Sequence, residues 1–190
     1  TKSLGDNFDP DIICVSGEFG KKIMKNNFKS QVINIGNRIG EIPSIDFKNK
    51  RLNTNCLVMP EGIMSECVLM YDFVYAASII NNKINFIIRF HDQFDTDYFL
   101  QNNKKYLLRK NIIFSKSSLK EDFKRSTFCL YRGTSGIFEA MNYGLLPIYL
   151  DLISEFNIDP INSFKDNIKY VQEPKDLVSY IIRNLKFEIL

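Results

Sequence analysis

Short apolar runs alternate with longer stretches of helical periodicity along most of this chain. DIICV (11–15) precedes a helical pattern near 18–27, and QVINI (31–35) follows it. After a polar stretch with Pro43 and an Asn/Lys-rich segment (46–55), the alternation restarts. CLVMP (56–60) leads into a helix near 64–80, and INFIIRF (84–90) into a weaker one near 95–107. NIIF (111–114) leads into SLKEDFKR, TFCLY (127–131) into a short helix, and LLPIYL (145–150) into a long loop. NIKYV (167–171) meets a helix opened by Pro174, in which Leu177, Val178, Ile181, Ile182 and Leu185 make one apolar face. Strands that are apolar at nearly every position, each followed by a helix, are buried on both faces. That is the pattern of a parallel sheet covered by helices on both sides. We therefore expect a doubly wound, Rossmann-like α/β domain over residues 46–190. A separate βαβ piece and linker, the end of a preceding domain, would occupy residues 1–45.

In the common strand order 3-2-1-4-5-6, counted from residue 56, the first and fourth strands are neighbours whose connections leave in opposite directions. Ligands bind in the crevice this creates, beyond the carboxyl ends of the strands. The loops placed there are Pro60 to Ser65 and Arg132 to Gly136, with Arg89-Phe90-His91-Asp92 opening on the same rim.

The chain has only 9 glycines, and three of them, Gly133, Gly136 and Gly144, surround one short helix. A strand running through Gly-Thr-Ser-Gly into a helix offers backbone N–H groups and a partial positive charge to a phosphate. Gly133 and Gly136 would let the phosphate approach the backbone, and Thr134 and Ser135 could add hydroxyl donors. Glu139, one turn after Ser135, could accept hydrogen bonds from ribose hydroxyls. Each residue also has a plainer reading: Thr134 or Ser135 as an N-cap, Glu139 as a favourable charge in an early turn, Gly144 as a left-handed C-cap. His91 is equally readable as a structural histidine, and Glu61 as a solvated loop carboxylate.

Composition narrows the classes. Hydrophobic residues at 45% with charged residues at 25% exclude a disordered chain. A net charge of +3, spread along the sequence, gives only a weak field, so no nucleic-acid partner is expected. Short basic clusters (Lys48, Lys50, Arg51; Lys104, Lys105, Arg109, Lys110) could meet a phosphate-rich acceptor or an anionic membrane, although solvated loops are the plainer reading. One histidine and four cysteines without a CxxC pair argue against a zinc site. The cysteines fall in apolar runs, so buried free thiols and a cytoplasmic location are expected, with no signal-peptide pattern at the start of the sequence. Ile63 to Ile80 is the longest apolar stretch, but Glu66 and Asp72 within it point to a buried helix and not a membrane span.

The stretch YRGTSGIFEAMNYGLLPIYL resembles the nucleotide-sugar signature in the C-terminal domain of GT-B glycosyltransferases of the bacterial surface-polysaccharide type. There, a Gly/Ser-started helix carries a glutamate, then Ala-Met and a Gly-x-Pro before the next strand. PDIICVSGEFGKKIMKN with VINIGN resembles the last βαβ piece of the N-terminal domain, CLVMPEG the first strand of the C-terminal domain, and FIIRFHD a second strand ending in Arg-x-His. Asp92 stands where the family has proline after the histidine.

The resemblance implies that Gly133, Thr134, Ser135 and Gly136, with Arg132 at the strand end, hold the donor phosphate, and that Glu139 binds the ribose. Arg89 and His91 would neutralise phosphate charge, while Glu61 and Gly62 would line the base or sugar pocket. It implies no metal and no cofactor beyond the nucleotide-sugar substrate. A glycan or lipid-linked acceptor would bind through an N-terminal domain mostly outside this chain, at the inner face of the membrane if association is peripheral. No catalytic base can be named. Two alternatives stay open: a non-catalytic nucleotide-binding subunit of a split transferase, and a nucleotide-sugar 2-epimerase.

Overall fold

The computed structural model describes residues 3, 5, 8–36, 53–90, 95–153, 155–162 and 168–186. The chain divides into two units, Thr1–Ile42 and Pro43–Leu190. In the smaller one, strand β1 (Ile12–Val15), helix α1 (Glu18–Asn27) and strand β2 (Gln31–Asn34) form a βαβ unit with the two strands parallel.

The larger unit carries β3 (Asn55–Met59), α2 (Met64–Ile80), β4 (Asn85–Ile88), α3 (Thr96–Asn102) and a 3-10 turn at Lys104–Leu108. Then come β5 (Ile112–Phe114), α4 (Leu119–Arg125), β6 (Phe128–Tyr131), α5 (Gly136–Asn142), β7 (Leu146–Leu150), β8 (Lys169–Val171) and α6 (Pro174–Lys186). Six parallel strands are ordered β5-β4-β3-β6-β7-β8, the common 3-2-1-4-5-6 arrangement on which the crevice expectation is conditional.

The alternation within each strand shows why the sheet is covered twice. Cys56 and Val58 of β3, with Phe128 and Leu130 of β6, face one core beneath α2 and α6. Leu57 and Met59, with Cys129 and Tyr131, face a second core with Phe123 of α4 and Ile137 and Ala140 of α5. Strands apolar on both faces are the outcome. Helix α2 buries Cys67, Met70, Tyr71, Val74, Ala77 and Ser78, the i, i+3, i+4, i+7 spacing of one face, and packs against α6. Among the described residues no helix is long and apolar enough to cross a membrane.

The 95–107 helical pattern resolves into two pieces, because Asn103 leaves the helical region (φ −130, ψ 48) and its N–H turns to Leu100 O. Gly144 does cap α5 in the left-handed region at φ 72. Its N–H bonds to Met141 O at 2.8 Å and that of Leu145 to Ala140 O at 3.1 Å, the paired closing bonds of a Schellman motif.

One expectation is corrected. Cys56, Cys67 and Cys129 are buried, but Cys14 is exposed, since the described part of its two-stranded sheet has nothing like the double covering of β3 and β6. Burial pushes the Cys56 thiol up to about 12 and that of Cys67 up to about 11. We expect a thiol reagent to modify Cys14 rapidly in the native protein, and the other three only as the chain unfolds. Raised folded-state values favour the protonated thiol in the native state. That contribution is whole below the unfolded thiol value of about 8.5 and is lost as the pH rises further, so alkali should destabilise the fold.

Candidate functional site

Three loops meet beyond the carboxyl ends of the neighbouring strands β3, β6 and β7: residues 60–63, 132–135, and 151–153 with 155–162. Arg132 joins them. Its side chain is essentially fully buried, and its guanidinium pairs through Nη1 with Glu66, in the first turn of α2, and through Nη2 with Glu155, in the loop after β7, at 2.5 Å. Burial alone would weaken the guanidinium's hold on its proton, but the two carboxylates outweigh it and raise its pKa. Arg132 Nε and Glu66 Oε2 are buried without a hydrogen-bond partner among the described residues.

The loop after β7 is fixed from below as well. Asp159 accepts hydrogen bonds from Tyr131 Oη at 2.9 Å, Tyr170 Oη at 2.8 Å and its own loop's Ile161 N–H at 3.0 Å. Tyr149 Oη accepts from Ile158 N–H at 3.1 Å. Burial, then the Asp159 carboxylate, push the Tyr131 phenol far up and that of Tyr170 up to about 12. These hydroxyls therefore stay protonated donors, and the tyrosines tie the ends of β6, β7 and β8 to the loop that carries Glu155.

Gly133 is where the glycine is needed. A methyl group there would lie 1.2 Å from Glu61 Oε1, so the Glu61 carboxylate rests directly on the Gly133 backbone. At Gly136 a methyl would lie 2.5 Å from Met59 Cε, so this second glycine lets α5 start hard against the end of β3. Glu61 is itself placed by Cys67, whose Sγ donates to Glu61 O at 3.4 Å.

The first turn of α5 is largely self-satisfied. Gly136 N–H donates to Thr134 Oγ1 at 3.3 Å, Ile137 N–H to Thr134 O at 3.4 Å and Phe138 N–H to Ser135 O at 3.2 Å. Thr134 thus caps the turn, whereas Ser135 is exposed and makes no side-chain cap bond. The amides left to meet an anion are those of Gly133, Thr134 and Ser135, which make no backbone bond to another described residue. The side chain of Glu139, half-buried on α5, makes no hydrogen bond or ion pair with another described residue, while its backbone carbonyl accepts from Tyr143 N–H at 3.1 Å.

The structure thus brings together Glu61, Arg132, Gly133, Thr134, Ser135 and Gly136, with Gly62 exposed in the same loop as Glu61 and Glu139 one turn into α5. Arg89 is turned elsewhere: its Nη1 donates to Ser117 O at 2.7 Å and to the buried Asp122 carboxylate at 3.0 Å. His91 lies outside the described residues. Glu66, Glu155 and Asp159 escape sequence reasoning, because nothing in a solitary helix-start glutamate or a long irregular loop announces a pairing with Arg132 or Tyr131. Among the described residues no group of three His, Cys, Asp or Glu side chains could hold a metal ion.

No protein-family model matches the sequence, and no curated protein matches it. Solved structures do. A Staphylococcus aureus TarM variant in complex with fondaparinux, α-GlcNAc-glycerol and UDP superposes with a TM-score of 0.60 at 13% identity, covering 94% of this chain and 38% of that one. The GtfA/B complex gives 0.57 at 14%, covering 93% and 39%. The Gap123 glycosylation-associated complex from Streptococcus agalactiae gives 0.53 at 10%, covering 94% and 41%. This chain therefore spans about two fifths of the length of the chains it matches. What this chain shares with the TarM and GtfA/B structures is a fold, the parallel, Rossmann-like α/β sheet of GT-B glycosyltransferases.

Proposed function

We propose that this chain is the donor-binding part of a GT-B glycosyltransferase of polysaccharide biosynthesis, holding a nucleotide-sugar in the crevice between the β3 and β6 loops. The observation that supports it is the Gly133 contact: a bare backbone with three amides that make no backbone bond to another described residue, at the switch point of the sheet, covered by the ends of two side chains, the Glu61 carboxylate and Ile158 Cδ1. In this reading the donor phosphates meet the amides of Gly133, Thr134 and Ser135, and the growing charge on the leaving phosphate is stabilised there by fixed dipoles. Glu61 turns off Gly133 and, with Glu139, accepts hydrogen bonds from donor hydroxyls. Arg132 holds the three rim loops in register from beneath. No metal is required for this electrostatic role, and the acceptor would be bound by residues outside this chain.

The charge pattern also favours a second reading, a non-catalytic nucleotide-binding subunit. Arg89 and Arg132 are both already paired with carboxylates, and Glu61 sits where a phosphate would arrive.

A thermal-shift screen against UDP, GDP, dTDP, ADP, CDP and CMP tests the first reading, because a ligand that binds only the folded state raises the transition. A rise with one nucleoside diphosphate is the expected result. Gly133→Ala should then fold normally, since Glu61 can swing aside and the end of Ile158, whose Cδ1 would lie 3.0 Å from the methyl, has only a few tenths of an ångström to give, yet bind that nucleotide at least tenfold more weakly because the methyl fills the approach. Glu139→Gln should lose about 1.5 kcal/mol of affinity, the worth of a charge-assisted hydrogen bond. A flat response from folded protein to every nucleotide would leave the donor-binding reading without support.

A further inference from the structure

At the end of the sheet opposite the crevice, two turns expose paired aliphatic side chains. Helix α2 ends in Ile79 and Ile80, 56% and 53% exposed, just before β4, and the 3-10 turn ends in Leu107 and Leu108, 56% and 76% exposed, just before β5. Each pair lines a surface hollow. Lys83 and Arg109 share the first with Ile79 and Ile80, and Lys104 shares the second with the leucines.

The two turns are fastened to each other. Arg109 Nη2 donates to Ser78 O at 2.6 Å, and Asn111 Nδ2 reaches Ser78 O, Asn81 O and Ile84 O at 3.3, 3.2 and 3.0 Å. Segments 79–83 and 103–111 together contain Lys83, Lys104, Lys105, Arg109 and Lys110 and no Asp or Glu. The acids that approach are Asp72, which pairs with Lys105, and Asp97, which lines the second hollow. The surface is thus aliphatic at its centre, cationic around it and rigidly held.

We propose that this end of the domain is a docking surface for an anionic phospholipid bilayer, with Ile79, Ile80, Leu107 and Leu108 entering the interface and the surrounding lysines meeting lipid phosphates. Complementary charge selects this occupant. Aliphatic knobs whose surrounding cations, Lys83, Lys104, Lys105, Arg109 and Lys110, outnumber the two approaching acids, Asp72 and Asp97, suit an apolar interior beneath a negative headgroup layer, and lysine stems can lie along the boundary with their ammonium groups in the headgroup region. Docked this way, the domain leaves the crevice at the opposite ends of the strands open to solvent. Membrane docking here depends on this surface alone and not on what the crevice binds.

The test is cosedimentation of the full chain with vesicles of phosphatidylcholine alone and of phosphatidylcholine mixed with phosphatidylglycerol. Binding is expected to the mixed vesicles only, weakening with added salt. Leu107→Ser with Leu108→Ser, and separately Lys104→Glu with Lys110→Glu, should each lower the partition coefficient on the order of tenfold while leaving thermal unfolding and any nucleotide-induced shift unchanged. No sedimentation with the mixed vesicles would overturn the proposal. So would equal sedimentation with both vesicle types, or a partition coefficient indifferent to both double variants. A crevice that fails to bind nucleotide leaves these outcomes untouched, so the two readings fail separately.

Discussion

Arg132→Met is expected to destabilise the domain by about 3 kcal/mol, in the range for breaking a buried ion pair from one side. Arg132 is essentially fully buried, and its loss strands Glu66, whose side chain is only 15% exposed and whose Oε2 already has no hydrogen-bond partner among the described residues. Glu155, at 44% exposure, can turn to water, so Glu155→Gln alone should cost under about 1 kcal/mol. Most of the loss comes from the stranded carboxylate, so adding Glu66→Gln to Arg132→Met should restore more than a third of it, a coupling that two independent sites would not show. Thermal unfolding reads this as a fall of about 6 to 12 °C for Arg132→Met. A fall of under about 2 °C would mean that the three rim loops hold their places without the triad.

That triad marks the border of what the sequence discloses. The class of the six-stranded sheet is legible because each strand is apolar on both faces, which calls for helices on both sides, and the handedness of strand-helix-strand crossings leaves few strand orders for it to take. Gly133 and Gly136 are legible as a place of close approach because glycine is scarce in this chain. What they approach, Glu61 Oε1 and Met59 Cε, is a matter of how two loops from distant parts of the sequence meet. Arg132 reads equally well as a phosphate ligand or a structural cation, and only the positions of Glu66 and Glu155, 66 residues before it and 23 after it, decide that it is paired. Asp159 lies in a loop without periodicity, and its role exists only once Tyr131 and Tyr170 are side by side. Cys14 misleads for the converse reason: IICV has the composition of a buried strand, but burial depends on what covers it.

Arg89 presents the same ambiguity at the neighbouring strand, and Asp122→Ala resolves it. Asp122 is fully buried in the first turn of α4, where its carboxylate also faces the positive end of the helix. It accepts from Arg89 Nη1 at 3.0 Å, from Arg125 Nη2 at 2.6 Å and Nε at 3.1 Å, and from Ser115 Oγ at 2.8 Å. Replacing it by alanine removes the centre of that network and opens a small cavity. The arginines left behind are 25% and 38% exposed and can reach water, so the cost should be smaller than for a stranded buried charge, about 2 to 3 kcal/mol by chemical denaturation. Arg89→Ala on its own should cost about 1 to 2 kcal/mol, since Asp122 keeps Arg125 and Ser115. If Arg89 serves only this network, neither variant changes the affinity for a nucleotide that the folded chain binds. If its charge also reaches the donor phosphates, Arg89→Ala weakens that affinity while Asp122→Ala, which releases the guanidinium from its carboxylate, strengthens it. Opposite signs from two variants that both lower stability can arise only from an electrostatic contact with the ligand, which a general loosening of the rim would not reproduce.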